Sequence, residues 1–440
     1  MWVEEITLDN IKCFDKQYIR LGTTKECFPW ITLLGENGTG KSTVLQALAL
    51  LIAGPEGAKQ LLTRPEGWLK TESIPGKISI KIHQSENDPA QFGARKERKQ
   101  FSYTFYVTGN QKLTINNKVF TEPVIAEDTN NRILPWLREN ALLPKGKGWF
   151  GAGYGAFRRL TRENRILVPA LQTPLRYTNF FTQFREDRAL EAFETWMVYL
   201  DYRISKSKDD KIAIRQKEWG IKAINSLLPE GNEFDSIDEN GKIWFKVQGS
   251  KVSTVALSDG FRSILALAGD LIWRLIEAFP ESDNPLHEVG IVLIDELDIH
   301  LHPTWQRTIA GWLRATFPKI QFIMATHSPL IVAGAGEDAI TYRFFRKNNN
   351  IEVELIKNIH AWSVDKILQS EAFGLVSTFS PETQKNIDKY YSLKKKKKLN
   401  DVEKIELQAT IPFVKEAYAE LPSENSLDLK IEKFLSEKLK

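Results

Sequence analysis

Apolar and polar positions alternate from the start of the chain. Short runs at Val3 to Leu8, Gln17 to Leu21 and Trp30 to Leu34, broken by turn residues, predict sheet over residues 1 to 35. The third run leads into the glycine-rich Gly35 to Gly40 and then into apolar Val44 to Leu51, which predicts a strand, a loop and a buried helix in succession. Gly54-Pro55-Glu56-Gly57 predicts a loop after that helix. Alternation returns at Lys77 to His83, Gln100 to Val107 and Lys112 to Phe120, while polar Ser85 to Lys99 predicts an exposed hairpin tip or mobile loop.

The period then lengthens. Phe180, Phe184, Leu190, Phe193, Trp196, Met197 and Leu200 predict an amphipathic helix from Asn179 to about Lys206, and a second runs from about Asp210 to Leu228. The polar break at 205–210 joins them as a helical hairpin or arm, whose aromatic stripe reads as core. Glu239-Asn240-Gly241-Lys242 predicts a two-residue hairpin turn between strands at 234–237 and 243–247. Buried strands are predicted at Ile291 to Ile294 and Gln321 to Thr326, with a helix from Ile264 to Leu271 ahead of them. From about Trp362 the pattern is helical, with Ser380-Pro381-Glu382 as a helix start.

Length changes the picture modestly: 440 residues accommodate two or three domains, or one large α/β domain with an insertion. Sixty basic and 56 acidic residues give a net charge of +4, so any nucleic-acid surface must be local. Cys13 and Cys27 are too few for a disulfide framework or a four-cysteine zinc site, and a reducing cytoplasm is the simplest setting. Met1 to Glu5 lack the pattern of a signal peptide, and the longest apolar stretches, such as Val44 to Ala53, fall short of a membrane span. The expectation is a soluble protein without a membrane partner.

Candidate chemistry is concentrated at four places. Gly35, Asn37, Gly38, Thr39, Gly40, Lys41, Ser42 and Thr43 belong to a full G-x-x-x-x-G-K-[ST] match, the Walker A pattern. Glycines there let backbone N–H groups approach a phosphate, the following helix adds its positive end, Lys41 neutralises β- and γ-phosphate oxygens, and the Ser42 hydroxyl ligates Mg²⁺. Asp295 and Glu296 end an apolar strand, as in a Walker B site, where Asp295 can hold a Mg²⁺-bound water and Glu296 can act as the general base. His327 follows the next strand and is a candidate γ-phosphate sensor or proton handler. Ser258, Asp259 and Gly260 open a long helix, a second anion site that is weak alone. Trp149 to Arg159 packs small and aromatic residues ahead of Arg158 and Arg159, which either reach a phosphate or are solvated.

The order of phosphate loop, L-S-x-G signature, D-E pair and T-H-S resembles the ABC-type ATPases of the SMC, RecF and OLD group. That resemblance implies an α/β fold: an ABC-type P-loop NTPase head with a mixed sheet, a helical and β insertion, and a helical C-terminal region. It implies ATP and Mg²⁺, and a homodimer or higher oligomer in which Ser258, Asp259 and Gly260 complete the partner's site. Glu296 would be the base and His327 the switch histidine. Asp295 to Gln306, Tyr154-Gly155 ahead of arginine, and Asp259 to Ser263 are similar to prokaryotic defence ATPases typified by PtuA of Septu systems and by retron-associated ATPases. This implies an ATPase regulating a separate HNH-type, PtuB-like nuclease encoded nearby, with DNA or retron nucleic acid as a further contact.

The expected organisation is an N-terminal part of the head with the phosphate loop (1–125), an insertion or arm (126–250), a C-terminal part of the head (251–360) and a helical C-terminal region that is the candidate partner-binding part (361–440). Gln84 is the expected position of the glutamine that many relatives use to ligate Mg²⁺. His300 and His302 have the look of a metal pair but fit better as part of the loop after the carboxylates. Glu337-Asp338 without a D-x-D argues against a nuclease site in this chain. Lys394 to Lys398 either grips DNA phosphates or is a solvated face neutralised by Asp401, Glu403 and Glu406. Three functions compete: a defence ATPase switch, a RecF-like repair or recombination ATPase, and a transporter's nucleotide-binding subunit, which the long mixed spacer disfavours.

Overall fold

The computed structural model describes residues 1–85, 88, 100–131, 133–143, 148–156, 175–185, 192–228, 231–348, 350–357, 359–375, 377–396 and 398–418. In chain order the strands are β1 Trp2–Ile11, β2 Phe14–Arg20, β3 Trp30–Gly35, β4 Gly76–His83, β5 Gln100–Val107, β6 Leu113–Ile115, β7 Lys118–Phe120, β8 Ile125–Glu127, β9 Phe150–Tyr154, β10 Asn232–Ile237, β11 Ile243–Val247, β12 Ser250–Ser253, β13 Gly290–Ile294, β14 Ile320–Thr326, β15 Ile340–Lys347 and β16 Asn350–Ile356. The α-helices are α1 Lys41–Leu61, α2 Leu134–Asn140, α3 Phe181–Phe184, α4 Ala192–Lys206, α5 Lys211–Leu227, α6 Asp259–Ala278, α7 Pro303–Thr316, α8 Pro329–Gly334, α9 Val364–Gln369, α10 Pro381–Lys394 and α11 Asp401–Tyr418.

A six-stranded sheet in the order β16-β15-β3-β14-β13-β9 carries the candidate chemistry. Its strands are parallel except β16, which pairs antiparallel with β15. Strands β9, β13 and β14 are buried at every position, which is why 291–294 and 322–325 read as unbroken apolar runs: helices and a second sheet cover both faces. Alternate residues enter different cores. Ile31, Leu33, Ile291, Leu293, Ile323 and Ala325 join α1 and the N-terminal strands, whereas Trp30, Val292, Ile294, Phe322 and Met324 join α4 to α7. At about 1.5–3 kcal/mol for each large apolar side chain removed from water, these two cores hold the strands in register.

The second sheet, β2-β1-β4-β5-β8, is antiparallel throughout. Gln321 at the start of β14 staples it to the first: its amide donates to the carbonyls of Val3 (3.1 Å) and Leu21 (2.7 Å) and accepts from the Val3 N–H (2.7 Å). A three-stranded sheet, β10-β11-β12, lies beyond the helical hairpin of α4 and α5, whose Phe193, Trp196, Met197 and Leu200 are core as expected.

Several local expectations need correction. The segment Gly54 to Gly57 is a kink inside α1: Gly54 alone is non-helical, with φ 82°, and Pro55 restarts the helix where its missing N–H costs nothing. Lys112 to Phe120 is a tight hairpin of β6 and β7, turned by Asn116 and Asn117, both at positive φ. The helix expected from Asn179 is interrupted, because Arg185 is extended (φ −137°, ψ 119°) after the short α3; residues 186–191 lie outside the described set. The turn expected at Glu239 to Lys242 is longer than two residues: Gly241 donates to Asp238 O, Asp238 donates to Lys242 O, and Gly241 takes φ 71°. The expected loop tip falls mostly on 86–87 and 89–99, and Arg158 and Arg159 on 157–174, all outside the described residues.

The chain divides into two compact units, Met1–Ile367 and Leu368–Lys440. In the second unit α10 starts at the Ser380 cap, whose hydroxyl accepts from the Thr383 N–H. Lys389–Glu406 (2.9 Å) and Lys396–Glu403 (2.6 Å) pair α10 and its end with α11, and Glu403 thereby neutralises one lysine of the run at 394–398, while Lys389 lies outside it.

Candidate active site

The phosphate loop is the turn from β3 into α1. Gly38 (φ 76°) and Gly40 (φ 91°) both occupy the left-handed region that favours glycine. Gly40 is doubly constrained, since a Cβ there would lie 2.5 Å from Phe14 Cζ and 2.6 Å from Cys13 Sγ. Thr39 closes the loop by donating to Glu36 O at 2.7 Å. Lys41 Nζ donates to the carbonyls of Gly35 (2.8 Å) and Glu36 (2.9 Å). Burial lowers the Lys41 pKa, opposed by the carboxylates of Asp295, Glu296, Asp298 and Glu36, so the ammonium sits in the field of the strand-end acids.

Register places the acids and the histidine beside that loop. Ile294 pairs with Met324, and Thr326 with Leu34, so β13, β14 and β3 end together, at the edge where parallel sheets bind ligands. Asp295 donates its N–H to Tyr154 O at 2.8 Å. Glu296 then adopts φ 48°, an uncommon conformation for a residue with a Cβ, and its side chain lines the cleft. Asn37, Gly38, Gly40, Lys41, Ser42, Thr43, Glu296 and His327 line one cleft of about 330 Å³, a volume within the range of small-molecule sites. Burial and the Lys41 charge lower the His327 pKa, with Asp298 and Asp295 pulling the other way.

Ser258, Asp259 and Gly260 are not among the residues lining that cleft. Ser258 caps α6, its hydroxyl accepting from the Phe261 N–H at 3.4 Å, and Ser258 and Asp259 are exposed. Gly260 is buried where a Cβ would stand 2.5 Å from His300 O, so the signature turn and the loop after the carboxylates touch within one chain. Tyr154 and Arg274 both donate to Asp270 Oδ2, at 2.9 and 2.5 Å, fastening α6 to β9.

Sequence reasoning passed over four residues here. Asp298 accepts from the Thr326 hydroxyl and from the His327 N–H (3.3 Å), joining the two strand ends. Gln306 on α7 bonds the same two loops. Lys12, at φ 46°, lines the cleft with Cys13; its Nζ donates to Gln46 Oε1 (3.1 Å) and lies 4.5 Å from the Trp68 ring centroid. Gln183 is buried with no hydrogen-bond partner for either polar side-chain atom among the described residues, and its carbonyl accepts from Gln46 Nε2 at 2.9 Å. Gln46 lies one turn after Ser42, which ties Gln183 to the Ser42 face of α1. No local sequence signal marks Gln183, which lies on α3, well beyond the end of β9.

Gln84 is corrected by the same geometry. It follows His83, which pairs with Trp2, and Val3 bonds to Gln321 at the amino end of β14. Five residues of strand, about 16 Å, separate that end from Thr326. His302 serves as the cap of α7, its Nδ1 accepting from the Thr304 N–H at 3.3 Å, and no cluster of three or more potential metal ligands of the His, Cys, Asp or Glu type occurs among the described residues. Among those residues, too, no helix is long and apolar enough to cross a membrane.

A family model described as "AAA domain, putative AbiEii toxin, Type IV TA system" matches residues 31–333. The chain is 29% identical over 412 residues to the Septu protein PtuA of Bacillus mycoides (strain KBAB4), covering 92% of this chain and 49% of that one. It is 26% identical over 392 residues to "Retron Vc95 probable ATPase" of Vibrio cholerae serotype O1 biovar El Tor, covering 76% and 73%. The chain thus spans about half the length of the PtuA protein it matches. Its fold is that of an SMC head: the crystal structure of the SmcHead bound to the C-winged helix domain of ScpA superposes with a TM-score of 0.50 at 18% identity, covering 82% of this chain and all of that one.

Proposed function

The chain belongs to the AAA domain family whose model spans its residues 31–333, and on that premise we propose that it is an ATP-hydrolysing switch that dimerises around nucleotide and controls a separate nuclease in antiphage defence. The observation that carries this reading is the single cleft lined by the phosphate loop, Glu296 and His327. Gly38, Gly40, Lys41 and Thr43 hold the phosphates through backbone N–H groups, the start of α1 and the ammonium. Ser42 and Asp295 offer hard oxygen donors for Mg²⁺, which, when bound, neutralises charge building up on the transferred phosphoryl group. Glu296 accepts the proton of the attacking water, and neutral His327 orients toward the γ-phosphate.

Gln183, rather than Gln84, is the glutamine of the metal side: its main-chain carbonyl is tied to the Ser42 face of α1 through Gln46, which leaves its buried side-chain amide unpaired among the described residues. Exposure of Ser258 and Asp259 supports their use by a second copy, each protomer's signature closing the other's cleft. The boundaries 1–125, 126–250, 251–360 and 361–440 remain the domain reading. The C-terminal helices, where Val402 and Ile405 on α11 are 67% and 68% exposed, are the partner-docking part.

Tagged protein drawn from its native host with ATP present tests the proposal. A small HNH-type nuclease, or a reverse transcriptase with its RNA, is the expected companion. Recovery of recombination proteins and DNA alone would replace it with the RecF-like reading, and tight ATP binding by Lys41→Ala would sink the phosphate-loop assignment.

A further inference from the structure

We propose that Gln306 is a positioning residue that locks the loop carrying Glu296 to the loop carrying His327. Its side-chain Nε2 donates to Leu301 O (2.9 Å) and points at Asp298 O (3.4 Å), the two ends of the turn that follows the carboxylates. Its Oε1 accepts the hydroxyl hydrogen of Ser328 at 2.6 Å. Ser328 Oγ in turn accepts from the N–H groups of Leu330 (3.1 Å) and Ile331 (3.2 Å), and the Ser328 N–H donates to Thr326 Oγ1 (3.0 Å). Thr326 closes the ring by donating to Asp298.

The need for such a lock comes from the backbone. Glu296 (φ 48°) and His300 (φ 66°) are both left-handed and only four residues apart, a combination that persists only where surrounding contacts over-determine it. Few main-chain bonds do so: Leu297 N–H to Ala325 O is 3.3 Å, and Ile299 N–H to Glu296 O and Leu301 N–H to Asp298 O, at 3.2 and 3.1 Å, lie within the turn. Gln306 is anchored on α7, its own N–H donating to His302 O at 3.0 Å, and supplies two donors and one acceptor that no other residue at this position could match. A glutamate there keeps length and acceptor but turns a negative charge on the carbonyls.

This inference rests on the ATPase reading for its kinetic consequence and on geometry alone for its structural one. The test is Gln306→Glu, with Gln306→Met as a second variant, in the full chain. Hydrogen exchange over residues 295–301 and 326–331 is followed beside steady-state ATP hydrolysis. Exchange is expected to quicken in both segments together, kcat to fall about 10–100-fold and KM to stay within about threefold, as for other outer-shell supports. Unchanged exchange in both variants, or a change confined to one segment, overturns the lock whatever the turnover. Coupled loosening with unaltered kcat overturns its role in positioning. A parent protein without Lys41-dependent hydrolysis removes the ATPase reading, while exchange still decides the lock.

Discussion

The main-chain N–H of His327 donates to Oδ1 of Asp298 at 3.3 Å, so a carboxylate just past the end of β13 fixes the histidine at the end of β14. The Thr326 hydroxyl shares the same oxygen. Asp298→Ala removes both bonds at once. Turnover is expected to fall about 10–100-fold with ATP still bound, as for other outer-shell partners. Parallel measurement of nucleotide affinity and hydrolysis checks this, and loss of affinity equal to the loss of turnover would contradict it.

Glu296→Gln preserves size and the φ 48° backbone while removing the proton acceptor. Hydrolysis is expected to drop by ~10²-fold or more, the lower end of what a positioned acid–base group supplies. Sizing chromatography with ATP should then show a trapped dimer. Undiminished hydrolysis would take Glu296 out of the role of base.

Burial and Lys41 push the His327 pKa below its usual 6.5, against the opposing pull of Asp298 and Asp295. Between that lowered value and 6.5 the unfolded chain binds more protons at this residue than the folded one. Its contribution to stability is therefore complete above 6.5 and is lost as pH falls through the folded value. Thermal melts of parent and His327→Gln at about pH 5.5 and about pH 7.5 should show the larger acid-side loss in the parent. An NMR titration that found the imidazole charged at neutral pH would refute the shift.

Gly260→Ala reverses the usual sign of a helical glycine substitution. In an open helix alanine is favoured by about 1 kcal/mol. Here the new Cβ would meet the His300 carbonyl at 2.5 Å, a backbone atom that cannot swing aside. The expected result is a loss of about 1–3 kcal/mol in chemical denaturation, typical of overpacking. A stabilised variant would mean that the signature turn and the carboxylate loop separate freely.

Motif residues were legible because their chemistry is local. The glycines, Lys41 and Ser42 lie within one strand–loop–helix, and the all-apolar stretches at 291–294 and 322–325 betray strands covered on both faces. Capping is local too, and Ser258 and Ser380 were found at the helix starts where their hydroxyls accept backbone N–H groups.

What escaped reading depends on partners far away in the chain. Gln306 and Ser328 are 22 positions apart, Gln46 and Gln183 are 137 apart, and nothing in spacing marks either glutamine. Gln84 was misplaced because sheet pairing, which sends its strand end toward Gln321, is a long-range choice. The kink at Gly54 and the break at Arg185 follow the same rule: local preference permits a loop or a helix in each place, and packing selects between them. The amino-acid order therefore supplies which groups can do chemistry, and the register of β3, β13 and β14 supplies their meeting point, because only strand pairing brings residues some 260 to 290 positions apart into one cleft.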